Sequence, residues 1–476
     1  MYYYEDFIYC GIMKVLFIGA RLFDDVDFYL KEKNIESILT ESNSNASNLD
    51  CANKYFIVPR GMDEPIRIAK EENVDGIISL IGIDDPLMDV ALAKEKVENE
   101  LKIPFIASNA RTISISSDKI ETKKFFIKNN INTSKFQILN SYNFEEFISS
   151  FESSMISSKN SLNNSKNNIS ENNISENNNL ENNILENYNL KNYNLDFPVV
   201  FKQRSGQGGR DISIIQNIDE AKDYFYEFNE ALCEEFIEGS EISIEVLCFN
   251  NSYMPLVPVY KGETSLNGLH PLNKVRCAPA DVQGLNNEYV KKVAYLIAKE
   301  LKAEGTIDID FIFSKHDKVL YALEINTRPS GTRYLTAAAT NIYPLTKLID
   351  MVSGDFNINS LNEEMKDYFA LEIPIGNFDD KQVSDKQVNS KEFNVKQVND
   401  NQAIGKQVNG KEFNDNQFNG KKSNKSLKKF NKNSWVLHGP SNYERLTISA
   451  ESKAEAKKLA KKLIGKRFYE FCLDEL

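Results

Sequence analysis

Tryptophan and histidine are scarce in these 476 residues, with one and three copies, and the six cysteines show neither CxxC nor CxxH spacing. That absence argues against a zinc finger or a disulfide framework, and the cysteines read as reduced packing residues. HExxH, GxGxxG and GxxxxGK[ST] are all missing, which excludes the commonest zinc-protease, dinucleotide and Walker signatures. No apolar run of about 18 residues occurs. The N-terminus also lacks a basic segment followed by an apolar one, so the expectation is a cytoplasmic protein with neither membrane span nor secretory signal. Positive charge is short as well: 57 Lys and Arg stand against 69 Asp and Glu, a net −12. A pI near 5.1 argues against a nucleic-acid footprint.

What is there begins at Met13, where Met-Lys-Val-Leu-Phe-Ile-Gly-Ala reads as a buried strand ending at Gly19. A helix is expected from about Phe23 to Lys33, a strand from Ser37 to Thr40, and a further strand from Gly76. Alternating strands and helices imply a parallel, doubly wound sheet with ligands at strand C-termini, here the loops Gly19 to Arg21, Glu41 to Asn43 and Gly82 to Asp85. A helix over Ser117 to Asn130, a strand over Phe136 to Leu139 and a helix over Phe144 to Phe151 follow. Residues 153–194 are Asn-rich and 379–433 reiterate Lys-Gln-Val-Asn. Neither tract has the apolar content to fold, so both are expected to be disordered inserts that interrupt a domain without ending it.

Three stretches carry chemistry. In the first, Asp310, Glu324 and Asn326 stand on two strands joined by a short hairpin, with Arg328 just downstream. Glu324 and Asn326 are two apart and share a strand face, and the hairpin can bring Asp310 opposite them. Such oxygen donors suit Mg²⁺ with nucleotide phosphates, although a solvated sheet edge explains the pattern equally well when it is taken alone. The second stretch is a strand ending at Lys202, followed by Ser205, Gly206, Gly208 and Gly209 and another strand. Its glycines let backbone amides wrap phosphate oxygens, yet a flexible hairpin tip has the same composition. The third is Glu234-Glu235-Phe236-Ile237-Glu-Gly-Ser-Glu241, a strand crossing that by itself reads as a solvated acidic hairpin.

In this order, and with Lys119 at a helix start, the pieces resemble the ATP-grasp superfamily, in particular its carboxylate-amine ligases and the related carbamoyl-phosphate synthase and biotin carboxylase domains. The resemblance implies an α/β plus α+β chain: an N-terminal doubly wound parallel sheet, a two-lobed ATP-grasp domain and a small C-terminal piece. Expected boundaries are 13–112 for the first domain, 113–245 and 246–356 for the two lobes, and 357–476 for the C-terminal region. It further implies that Lys119 and Lys202 contact phosphates or adenine, Glu234 faces the adenine amino group, and backbone of Glu235 to Ile237 reads the ring. Glu241 would take the ribose, and Asp310, Glu324 and Asn326 would hold Mg²⁺, as two ions, with Mn²⁺ as a substitute. Arg328 or Arg333 would steady an acyl phosphate, with His270, Lys274 and Arg276 near phosphate or substrate.

The expected activity is ATP-dependent activation of a small carboxylate as an acyl phosphate, followed by amide formation with a small amine. A bicarbonate-activating or carbamoyl-phosphate-type enzyme is the alternative within the fold, though no Met-Lys-Met biotinyl motif is present. A nucleotide-sensing or scaffold protein is the alternative outside it. Partners are then small molecules, with no nucleic acid and no membrane, and a homodimer is an open assembly.

Overall fold

The computed structural model describes residues 11–151, 195–206, 211–266, 273–375, 430, 433–439, 444–465 and 467–473. The expected inserts therefore lie largely outside the described residues, as do Gly208, Gly209 and His270.

The first sheet is wholly parallel, with strands β1 (Lys14–Ile18), β2 (Glu36–Glu41), β3 (Lys54–Ile57), β4 (Gly76–Ser79) and β5 (Phe105–Ile106). Their spatial order is β3-β2-β1-β4-β5, so the switch point lies between β1 and β4. Period-two alternation sends Leu16 and Ile18 to one face and Val15 and Phe17 to the other. Helices Asp63–Glu71 and Leu87–Glu100 cover the first face. The second is covered partly by Leu345, Leu348, Ile349 and Val352 of helix Pro344–Ser353. Residues 13–112 thus share their core with residues 342–361, a dependence that the expected boundary at 112 does not capture.

A second sheet holds β6 (Phe136–Asn140), β7 (Val199–Lys202), β8 (Ile212–Ile215) and β9 (Glu230–Glu235) in the order β6-β9-β7-β8. An aromatic core of Phe144, Phe147, Phe151, Phe201, Tyr224 and Phe225 backs it.

The third sheet has nine described strands: β10 (Gly239–Phe249), β11 (Ser252–Pro255), β12 (Val259–Glu263), β13 (Arg276–Ala278), β14 (Gly305–Ser314), β15 (Leu320–Asn326), β16 (Phe369–Pro374), β17 (Ser434–His438) and β18 (Arg445–Ala450). Two sequence expectations are corrected here. The boundary at 245/246 cuts β10, since the turn between the second and third sheets falls at 236–238. The C-terminal strands do not form a separate piece, because β16 pairs β13 and extends the same sheet. Helix Asn287–Leu301 lays Val290, Ala294, Ile297, Ala298 and Leu301 under Ile242, Ile244, Ile307, Ile309 and Phe311. That spacing is one helical stripe against alternate strand residues. The alternate residues on β10 and β14, among them Ser243, Glu245, Asp308 and Asp310, share the opposite face.

Candidate active site

The polar face of the third sheet is set by register. Asp310 on β14 lies opposite Glu324 on β15, and Asp308 lies opposite Asn326. Ser243 and Glu245 on β10 lie opposite Asp310 and Asp308 from the other side. Two β-bulges adjust the ladder at the site. One falls between Glu241 and Ile242, where β12 contributes Lys261 as an extra residue, and the other falls beside Asp310, where β15 contributes Leu323. Bulges re-aim side chains. The first delivers the Lys261 ammonium to Asp310 at 2.6 Å.

Asp310, Glu324 and Asn326 are brought together as the sequence suggested. The Asn326 amide nitrogen lies 3.4 Å from Asp310 and 3.5 Å from Glu324. Burial raises the Glu324 carboxyl above its ordinary range, and the neighbouring Asp310 charge adds to the effect. Burial also opposes ionisation of Asp310, but the Lys261 charge and hydrogen bond outweigh it and hold that carboxyl low. Two facing carboxylates suit Mg²⁺ shared with phosphates, and the Asn326 side chain beside them turns its nitrogen to the carboxylates and its oxygen to Arg328. The described residues hold no group of three or more His, Cys, Asp or Glu arranged as an all-protein metal cage.

Facing this sheet, the helix Lys119–Lys128 starts on an Asp118 cap, whose carboxylate accepts from the Ile120 and Glu121 amides. The Lys119 ammonium donates to the Gly206 carbonyl at 3.0 Å. Burial lowers its pKa while Glu324 pulls the other way, so the Lys119 charge lies within the field of the Glu324 carboxylate. Ser205 and Gly206 follow β7, and Gly206 takes φ +130°, a region suited to glycine.

Glu234 does not face outward. Its buried carboxylate meets Lys123 at 2.9 Å, Lys202 at 3.0 Å and the Ser134 hydroxyl at 2.7 Å. Burial alone would raise it, but the two lysine charges draw it down to about 2. Lys123 is itself lowered to about 8 by burial against the pull of Glu234. The expected adenine role of Glu234 therefore gives way to that of an ionic anchor for Lys202. In the same crossing the Glu235 amide donates to the Lys135 carbonyl and the Ile237 carbonyl accepts from the Thr264 hydroxyl. Phe236 sits between them in the crossing.

Glu241 pairs with Lys274 at 2.7 Å, so the expected ribose and substrate residues hold each other. Arg276 is buried beside Glu372, together with Arg445 and His438 from the last two strands. Its part is to tie the sheet together, and it reaches the site as a charge acting on Lys261. The two downstream arginines are gripped from the first domain. Arg328 donates to Asp84 at 2.8 Å and to the Asn326 amide oxygen at 3.2 Å. Arg333 donates to Asp25 at 2.5 Å, and the Tyr334 hydroxyl donates to the same carboxylate.

Sequence reasoning missed Lys123, Lys261, Asp308, Glu245 and Asp25. Lys123 stands four residues after Lys119 on one helix face, and Asp308 two before Asp310 on one strand face, so those two were within reach. Lys261 depends on a bulge, which composition does not announce.

A family model for the ATP-grasp domain matches residues 182–332. A protein of Methanobrevibacter smithii named carbamoyl-phosphate synthase is 42% identical over 452 residues, covering 95% of this chain and all of that one. The carbamoyl phosphate synthase large chain of Caldanaerobacter subterraneus subsp. tengcongensis is 22% identical over 362 residues, and the match spans only 28% of it. The solved N5-carboxyaminoimidazole synthetase of Staphylococcus aureus, complexed with ADP, shares the fold at TM-score 0.63 and 13% identity, covering 95% of this chain and 96% of that one.

Fold, site and similarity together define an ATP-binding ligase of the carboxylate-amine type. The chain belongs to the ATP-grasp family, whose members use ATP and Mg²⁺. None of the helices among the described residues is long and apolar enough to cross a membrane.

Proposed function

We propose that the cleft between the second and third sheets binds ATP, phosphorylates a small-molecule carboxylate and hands the acyl group to an amine. The observation that carries this reading is the convergence of Lys119, Lys202 and the Asp310, Glu324, Asn326 trio within one electrostatic field. In the first step a carboxylate oxygen bonds to the γ-phosphorus while the bond to the bridging oxygen breaks, giving an acyl phosphate and ADP. In the second, an amine nitrogen bonds to the acyl carbon as the carbon–oxygen bond to phosphate breaks, and the amine proton leaves with phosphate or water. Lys119, Lys202, Ser205 and Gly206 hold the transferring phosphates, with Gly208 and Gly209 proposed as further phosphate contacts. Lys123 and Glu234 fix the Lys202 ammonium in place. Asp310, Glu324 and Asn326 would hold Mg²⁺, as two ions or with Mn²⁺ in substitution, and the metal would supply charge to offset that developing on the phosphates. Arg328 steadies the acyl phosphate. Arg333 supports it from behind through the Ser330 carbonyl, to which it donates.

The test is ADP release by purified protein against a panel of amino acids and small carboxylates. A Glu324→Gln variant should lose that release, and unchanged turnover in it would sink the assignment. A second reading is favoured by the 42% identity over the whole of the Methanobrevibacter smithii carbamoyl-phosphate synthase. In it the carboxylate is bicarbonate and the amine is ammonia. ADP release driven by bicarbonate with ammonium, and by no amino acid, would select it. Light scattering decides between a monomer and a homodimer, and dependence on cellular ATP fits a cytoplasmic location.

A further inference from the structure

An open parallel sheet takes its ligand at the switch point, here between β1 and β4, and two loops form its mouth, residues 19–22 and 80–85. Arg21 stands on the first loop, and its backbone is pinned. The Asn48 amide donates to the Ala20 and Arg21 carbonyls at 3.3 and 3.1 Å and to the Asp24 carboxylate at 2.9 Å, while Glu41 accepts from the Ala20 amide at 2.9 Å. The acids that flank the loop are thus engaged by other groups. The Arg21 side chain is exposed, and among the described residues its guanidinium enters no ion pair and no hydrogen bond. Arg328 and Arg333 differ, each being held by an aspartate of this domain. Gly82 lets the Arg21 guanidinium lie along the crevice, since a Cβ there would stand 3.9 Å from one of its nitrogens and 3.6 Å from Leu22. Two residues after Gly82, Asp84 grips Arg328, and two residues span at most about 7 Å. An unpaired cation therefore stands a short reach from the acyl-phosphate arginine.

We propose that Arg21 is the receptor for a second anionic group, a carboxylate or a phosphate ester, carried at the far end of the acid that this chain activates. The inference rests on the acyl-phosphate reading above and deepens it by naming the substrate class. The reacting carboxyl lies toward Arg328 and the transferring phosphate, the distal anion lies on Arg21, and Gly82 leaves the wall between them free of a side chain. A guanidinium offers two parallel N–H groups to such an oxyanion. Low-dielectric walls focus the field of a cation in a crevice, so its charge counts for more there than on open surface. The grip of Asn48 and Glu41 on the loop backbone fixes where that cation is presented. An acid with one anionic group leaves Arg21 to water, whereas a short acid with two engages both ends of the crevice.

The experiment follows ADP release from the full chain with acids matched in length that differ in the distal group: glutarate with valerate, L-glutamate with L-glutamine, and O-phospho-L-serine with L-serine. The wild type should favour the acid with the distal anion roughly tenfold or more in kcat/KM in at least one pair, the usual worth of a hydrogen bond to a charged group. Which pair responds separates carboxylate from phosphate. Arg21→Gln should raise KM for that acid by about tenfold with kcat within about threefold, and Arg21→Lys should recover part of the loss. Thermal melts of Arg21→Gln should match the wild type, because the side chain has no partner to lose, whereas a structural role would lower the midpoint and slow every acid alike. Equal response to both members of every pair, response to bicarbonate alone, or a preference that survives in Arg21→Gln overturns the Arg21 site and leaves the ligase reading standing. No ADP release from any acid overturns both.

Discussion

Lys123 is the residue whose weight the sequence conceals most. It is 1% exposed, and replacing it with methionine leaves Glu234 buried beside a single lysine. Breaking a buried pair in this way costs about 3–5 kcal/mol. Lys123→Met should therefore lower the urea midpoint and weaken ATP binding through a less constrained Lys202, and a variant as stable as wild type would refute the anchor. Glu245 gives a pH signature. Burial first, and the Asp308 charge second, raise its carboxyl from 4.5 to about 8. The folded chain keeps a proton there that the unfolded chain releases, so this contribution is complete below about pH 4.5 and fades as pH rises toward 8. In Glu245→Gln the slope of stability between pH 5 and 8 should flatten by roughly 2–4 kcal/mol, as followed by denaturant melts. At this scale residue types were legible and partners were not. Asp310, Glu324 and Asn326 announce themselves by alternation, whereas Glu234 read as an exposed acid because its two lysines come from distant segments.

Among the elements, β10 decides the geometry, because it leaves the 236–238 turn and runs straight into the polar face of the third sheet. Gly239 opens it, and a Cβ there would overlap the Phe313 carbonyl on β14. Gly239→Ala should cost about 1–3 kcal/mol through that overlap. Thermal melts will show it, and an unaltered transition would mean that the strands can separate there freely. Several strands were readable from apolar runs or alternation, including β1, β2, β4 and β6. The expected helix over Phe23 to Lys33 instead breaks into a short 3₁₀ turn, Phe23–Asp25, and a helix, Asp27–Lys33. That break presents Asp25 to Arg333, a tertiary demand invisible in local pattern. The helix expected from Ser117 likewise starts two residues later, on its Asp118 cap.

For the molecule as a whole, class and order of parts were legible, but closure of the largest sheet was not. Nothing local in Phe369–Pro374 or Arg445–Ala450 says that these strands continue the sheet begun at Gly239. Phe151 and Phe197 stack at 4.2 Å, so the two ends of the Asn-rich tract already meet. Replacing residues 155–192 with a short Gly/Ser linker should keep ADP release within about twofold, since loop closure varies slowly with length. A collapse of activity in that protein would give the tract a role of its own. The sharing of one sheet between β10 and the last strands also has a consequence for synthesis on the ribosome. The second sheet is complete once Glu235 has emerged, whereas the far edge of the third must wait for β18, some two hundred residues later on the chain. A ribosome that stalls before Arg445 would hold out a nascent chain whose β14 and β15 strands are in place while the edge at β16 is bare, an apolar target for chaperones.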